Sequence, residues 1–196
     1  MQQDLIEELD LLCEVLSKSG FFDKMEMLEI IEDQFIDEDI DLNSVNFPLI
    51  DASNSNFSHL EDAFIEIAKK GIIAIHNCGY DVEEGLEDVF ELLVHIQNND
   101  HEARGFCFYT FEDIEESIFE NRLKITFGDF TQDKSEALKI GMEICEILES
   151  FNFTVKWNKT LDEQIIIDPF IWDKKFSPDR DYEIEGAFEV FINNQV

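Results

Sequence analysis

The sequence predicts an α/β (α+β) chain: helices packed on a mixed sheet of about five strands, preceded by an N-terminal helical hairpin. Three observations carry this. Apolar stripes at helical spacing alternate with apolar runs of strand length through the middle of the chain. Two short runs, Phe153–Trp157 and Gln164–Ile167, are joined across the turn-forming stretch Asn158 to Asp162, as in a β-hairpin. The first 36 residues carry two amphipathic helix patterns and nothing strand-like.

In the first helix Leu5, Ile6, Leu9, Leu12, Cys13 and Leu16 share one face, and Ser19-Gly20 ends it. Asp23 followed by Glu26 reads as an N-cap with a carboxylate at the third helical position. Met25, Leu28, Ile31 and Phe35 continue a second stripe. Residues 1–36 therefore form the hairpin. Residues 37–56 are an acidic and polar connector, rich in Asp, Asn and Ser and without sustained periodicity. Residues 57–196 form the α/β domain.

Within that domain Phe57, Leu60, Phe64 and Ile67 mark a helix that closes at Lys69-Lys70-Gly71, a basic last turn followed by glycine. Ile72 to Ile75 is a buried strand, and Val82 to Ile96 carries the next helical stripe. Gly105–Tyr109 and Leu123–Phe127 are two more strands, with a short helix from Thr110 to about Glu120 between them. A longer helix begins near Lys134. The β-hairpin follows, and Phe188 to Ile192 suggests an edge strand.

The composition limits the function classes. With 46 Asp and Glu against 14 Lys and Arg the net charge is −32, which disfavours nucleic acid and anionic membrane as partners. A 44% apolar content with 19 Phe lets so charged a chain fold. The acidity reads either as a solvated surface or as complementarity to a basic protein. Adaptation to high salt fits poorly with so many Phe and Ile side chains. Cys13, Cys78, Cys107 and Cys145 include no CxxC pair and read as reduced, buried thiols. The start MQQDLIEELD is acidic and has no long apolar stretch, so neither a signal peptide nor a membrane span is expected, and the expected location is cytoplasmic.

No phosphate loop, nucleophile elbow or zinc-binding helix motif is present, so no cofactor and no metal are expected. Asp37, Asp39, Asp41 and Asn43 alternate as in a calcium loop, but Leu42 and Pro48 stand where such a loop needs Gly and Glu. His59, His95 and His101 complete no metal motif. The stretch His76-Asn77-Cys78-Gly79-Tyr80 follows the first strand of the main domain, where open α/β sheets place ligand sites. If the strand stayed extended, His76 and Cys78 would face one pocket as base and nucleophile, with Tyr109 nearby. Asn77, Gly79, Tyr80, Trp157 and Trp172 are the candidate ligand-binding residues. The plainer reading is that Gly79 permits a turn while His76 and Cys78 pack against the sheet end.

Several segments together resemble a family of uncharacterised bacterial proteins, catalogued as a domain of unknown function. They are Leu60–Phe64, Gly71–Ala74, Asn77–Tyr80, Gly105–Tyr109 with Asp113-Ile114-Glu115, Leu123–Gly128 and Val155–Asn158. The resemblance spans roughly Phe57 to Lys175. It implies a domain extent and a bacterial origin, and supplies no reaction. Some similar proteins carry a cysteine cluster in the loop after the first strand, where this chain keeps only Cys78, so the resemblance brings no metal site.

Two functions follow as expectations. The first is a non-catalytic protein that acts through its acidic surface on a basic protein, in the manner of an immunity protein or inhibitor. The alternative is a small ligand-binding domain or enzyme using the His76–Tyr80 loop.

Overall fold

The computed structural model describes residues 3–50, 56–172 and 174–195. The chain begins with two helices, α1 (Gln3–Ser19) and α2 (Lys24–Gln34). Asp23 caps α2 as its sequence signature requires: the carboxylate accepts from the N–H groups of Met25 and Glu26, and Glu26 accepts from the Asp23 N–H. Cys13, Leu16 and Ile31 form a small core within this hairpin. In the connector, Asp41 caps a single 3-10 turn at Leu42–Ser44. Residues 51–55 of that connector lie outside the described residues.

The α/β part runs α3 (Phe57–Ala68), β1 (Ile72–Ile75), α4 (Val82–Asn98), β2 (Gly105–Phe108), α5 (Phe111–Glu120), β3 (Leu123–Asp129), α6 (Lys134–Ser150), β4 (Val155–Lys156), β5 (Ile165–Ile167) and α7 (Ile184–Asn193). The five strands make one sheet in the order β1-β2-β3-β5-β4. β1 and β2 are parallel, with Ile72 opposite Gly105, and α4 supplies the crossover that parallel neighbours need. The other pairings are antiparallel, including the expected hairpin of β4 with β5.

Both faces of the β1–β2 half are covered, so its strands are apolar at every position rather than alternating. Ile72, Ala74 and Cys107 face one core with Leu60, Phe64 and Ile67 of α3 and Ile140 and Ile144 of α6. Ile73, Ile75, Phe106 and Phe108 face the other, with Val89, Leu92 and Ile96 of α4 and Phe191 of α7.

The expected edge strand at Phe188–Ile192 is a helix instead, lying within α7. Phe188, Val190 and Ile192 alternate, which mimics a strand. The burial that decides the matter runs at helical spacing: Ala187 and Phe191 are four residues apart and both enter the second core, with Ile184 and Phe188 packed beside them.

Candidate functional site

The His76–Tyr80 loop leaves the carboxyl end of β1, an edge strand, and is fixed to the β2–α5 junction by main-chain bonds. Cys78 N–H donates to Tyr109 O at 2.9 Å, Phe111 N–H to Gly79 O at 3.1 Å and Glu112 N–H to Tyr80 O at 3.1 Å. Asn77 and Gly79 both adopt left-handed backbone, at φ 49° and 68°. A Cβ at Gly79 would lie 2.5 Å from the Gly85 nitrogen, so only glycine permits this approach to the start of α4. Asp81 then caps α4 by accepting from Glu83 and Glu84 N–H.

The left-handed turn at Asn77 overturns the expectation that His76 and Cys78 share a pocket. It breaks the two-residue repeat of an extended strand and sends the side chains to opposite faces of the sheet. His76 stacks on Phe64 with ring centroids 4.4 Å apart, and its Nδ1 lies 2.8 Å from the Tyr109 hydroxyl oxygen. Cys78 enters the other core, where its Sγ donates to Gly85 O at 3.3 Å and lies 3.9 Å from an Asp88 carboxylate oxygen.

Neither group is activated. Burial, reinforced by the nearby positive charges of Lys174 and Arg180, lowers the His76 pKa to about 3 and keeps the ring neutral at pH 7. Burial, together with the Asp88 carboxylate, pushes the Cys78 thiol far up, the reverse of what a nucleophilic thiolate requires. The Tyr109 hydroxyl, also buried, is raised well above its ordinary value. His76 borders a cavity of ≈ 60 Å³, room for a water molecule or two on the order of magnitude expected for such voids.

Behind His76 lies a contact that no sequence motif announced. The Lys174 ammonium is buried, donates to Gly20 O at 2.5 Å, and sits 4.4, 5.1 and 4.3 Å from the ring centroids of Phe21, Phe57 and Tyr182. Trp172 donates its indole N–H to Lys18 O at 3.1 Å. Gly20, at φ 69°, lies so close that a Cβ there would be 2.2 Å from Lys174 O. These contacts seat the α1–α2 turn on the C-terminal segment. Trp157 is elsewhere: it packs edge-on against Phe127 at 5.1 Å and donates to Thr160 O at 2.9 Å, so the two tryptophans do not form one groove.

Two open spaces adjoin the loop. The first is a cleft of ≈ 610 Å³ walled by Leu11, Leu12, Val15 and Leu16 of α1, by Ile30 of α2 and by Tyr80 and Phe111. Its charged lining residues are Glu8 and Glu115. The Tyr80 hydroxyl reports the local field: burial first, then Glu115, Glu112, Asp81 and Glu84, all raise its pKa. The second is a basin of ≈ 770 Å³. Its acidic lining residues are Glu26, Asp88 and Glu91 together with Asp179, Asp181, Glu183 and Glu185. Among the described residues Arg180 is its one basic lining residue. Asn77 and Phe22 line both spaces, which flank the loop.

The amino end of β1 carries three basic residues. Lys69, Lys70 and Arg104 line a shallow depression there with Glu102. These cations are largely matched by carboxylates, since Arg104 pairs with Glu136 at 2.8 Å and Glu143 at 2.9 Å and Lys69 pairs with Glu66. Among the described residues no group of three or more His, Cys, Asp or Glu is placed to hold a metal ion. Nor is any helix among them long and apolar enough to cross a membrane.

The fold and the loop thus define an α+β domain whose candidate site is a divided cleft beyond the carboxyl end of an edge strand. The family model for a domain of unknown function, DUF6891, matches residues 51–176, and the chain belongs to that family. The matched span takes in the sheet, the loop and Lys174, while α1, α2 and α7 fall outside it. Neither the curated proteins nor the solved structures gave a match.

Proposed function

We propose that the protein is a non-catalytic binding protein that receives a basic polypeptide at the carboxyl end of β1. The observation that carries this reading is the basin lined by seven Asp and Glu residues and a single Arg. Acidity spread evenly over the surface would serve solubility. Acidity focused in a concave space steers a cationic partner. The protonated, buried Cys78 and the neutral, stacked His76 support a binding role over covalent chemistry.

A fluorescein-labelled oligolysine tests the reading by anisotropy. Binding is expected at low ionic strength and should weaken as salt rises. Neutralising the basin with Asp179→Asn, Asp181→Asn, Glu183→Gln and Glu185→Gln should weaken it about tenfold, at the level of 1–2 kcal/mol for a group of rim charges. The control set Glu146→Gln, Glu149→Gln, Asp162→Asn and Glu163→Gln removes the same net charge from exposed positions on α6 and the β4–β5 loop. Equal losses from both sets would refute a defined site, and no binding at low salt would refute the function.

A further inference from the structure

We infer that the segment bound at this site is an amphipathic basic helix, its apolar face seated in the cleft between α1, α2 and α5 and its cationic face turned to the adjoining basin. This inference rests on the reading above and names the form of the partner. The two spaces differ in chemistry and share Phe22 and Asn77 as lining residues. The cleft offers Leu11, Leu12, Val15, Ile30 and Tyr80, while the basin beyond Phe22 and Asn77 offers carboxylates. A purely hydrophilic cation would leave the apolar cleft unfilled. A purely apolar segment would leave the basin's carboxylates without a counter-charge.

The cleft's volume, ≈ 610 Å³, lies within the range of about 300–1,000 Å³ typical of ligand sites and suits a few aliphatic side chains. Its walls are the surfaces of helices, the setting in which an added helix inserts anchors spaced three and four residues apart. Leu11 and Tyr80 are exposed at its mouth, at 44% and 52%. Charge argues against the other occupants. A second copy of this chain would bring its own net charge of −32 to an acidic site, and an anionic lipid surface would be repelled in the same way.

The test uses two synthetic peptides of equal length and equal lysine content, one placing Leu along a single helical face, the other placing Ser there. Each is titrated into the intact protein at low salt. The Leu peptide is expected to bind at least about tenfold more tightly, the scale of burying one to two aliphatic side chains, and to gain helical circular dichroism on binding. Leu11→Gln and, independently, Tyr80→Ser should erase most of that advantage and leave Ser-peptide affinity unchanged. Both positions are exposed, and thermal melts of the free variants would verify their folding.

Equal affinity for the two peptides, or a matching loss for both on Leu11→Gln and Tyr80→Ser, would overturn the amphipathic-helix inference and leave the basic-partner reading standing. Binding of neither peptide would remove both. A concentration-dependent doubling of mass that Leu11→Gln abolishes would assign the cleft to a second copy instead.

Discussion

The Nδ1 atom of His76 and the hydroxyl oxygen of Tyr109 lie 2.8 Å apart between α3 and the C-terminal segment, and neither residue lines the open cleft beside the loop. The pair joins the end of β1 to the end of β2, with Phe64 stacked on the imidazole. An imidazole in that position serves the fold in its neutral form.

That form sets a pH dependence. His76 has a folded-state pKa of about 3 against 6.5 in the unfolded chain. Above pH 6.5 the ring is neutral in both states and the shift costs nothing. As pH falls through 6.5 toward 3, the unfolded chain takes up a proton that the folded chain refuses, so stability drains away across that window. Protonation of the many carboxylates acts at the same time, so the wild-type protein must be compared with His76→Phe. The wild type should lose up to about 1.4 kcal/mol per pH unit more than the variant below pH 6, the limit for one proton. Urea midpoints at pH 7, 6, 5 and 4 measure this, and parallel curves would count against a neutral, half-buried His76.

Lys174 gives the complementary test at alkaline pH. Burial lowers its pKa from 10.5 to about 8, with Arg180 acting in the same direction and Glu61 opposing. Between pH 8 and 10.5 the unfolded chain holds the proton that the folded chain has released, so stability contributed by this group rises with pH through the window. The neutral amine can still donate to Gly20 O. Lys174→Met removes that donor and leaves a carbonyl unpaired, at a cost of about 1–3 kcal/mol at pH 7. The gap between wild type and Lys174→Met should then widen from pH 7.5 to 9.5. Thermal melts that show it narrowing would contradict the shift.

Much of this architecture is legible in the sequence because local signals and burial agree. Asp23 with Glu26, Gly71 after Lys69-Lys70, and the five apolar runs each have a mechanism that acts over a few residues. The places that resist reading are those where distant segments decide. Phe188, Val190 and Ile192 alternate like a strand, and only the core that Ala187 and Phe191 enter makes them helical. The ammonium of Lys174 finds its acceptor at Gly20, 154 positions away, so no window of sequence shows the contact. The acidic basin combines Glu26, α4 and the segment before α7 in the same way. Even within the candidate loop, the turn at Asn77 reverses the direction that an extended strand assigns to Cys78.

Thiol chemistry separates a structural from a reactive Cys78. Cys13, Cys78 and Cys107 are buried and Cys145 is partly buried, with its thiol raised to about 11 by burial and then by Glu149. In the native protein at pH 8 Cys145 should react first with a disulfide reagent, and more slowly than a free thiol whose pKa is near 8.5. Cys78 should become modified only at the rate of global unfolding. A mass-spectrometric time course in which Cys78 is the fastest site would restore the thiolate reading of this loop.

Positions 77 and 79 should differ in their tolerance of substitution, although both have positive φ. At Gly79 an added Cβ would meet the Gly85 nitrogen at 2.5 Å and the Glu84 carbonyl carbon at 2.8 Å, both backbone atoms that cannot swing aside. Gly79→Ala therefore combines left-handed strain of about 1 kcal/mol or more with a steric clash, for a loss of about 2–4 kcal/mol. At Asn77 the side chain already fits, and its Oδ1 is buried with no hydrogen-bond partner in the protein. Asn77→Gly deletes that unpaired acceptor and suits the φ of 49°, against a larger entropy loss on folding. The two effects should cancel to within about 1 kcal/mol. Chemical denaturation of the two variants checks the contrast. A loss at Asn77→Gly as large as that at Gly79→Ala would mean that the Asn77 amide holds the loop together, and the turn that separates His76 from Cys78 would then depend on its side chain and not on backbone geometry alone.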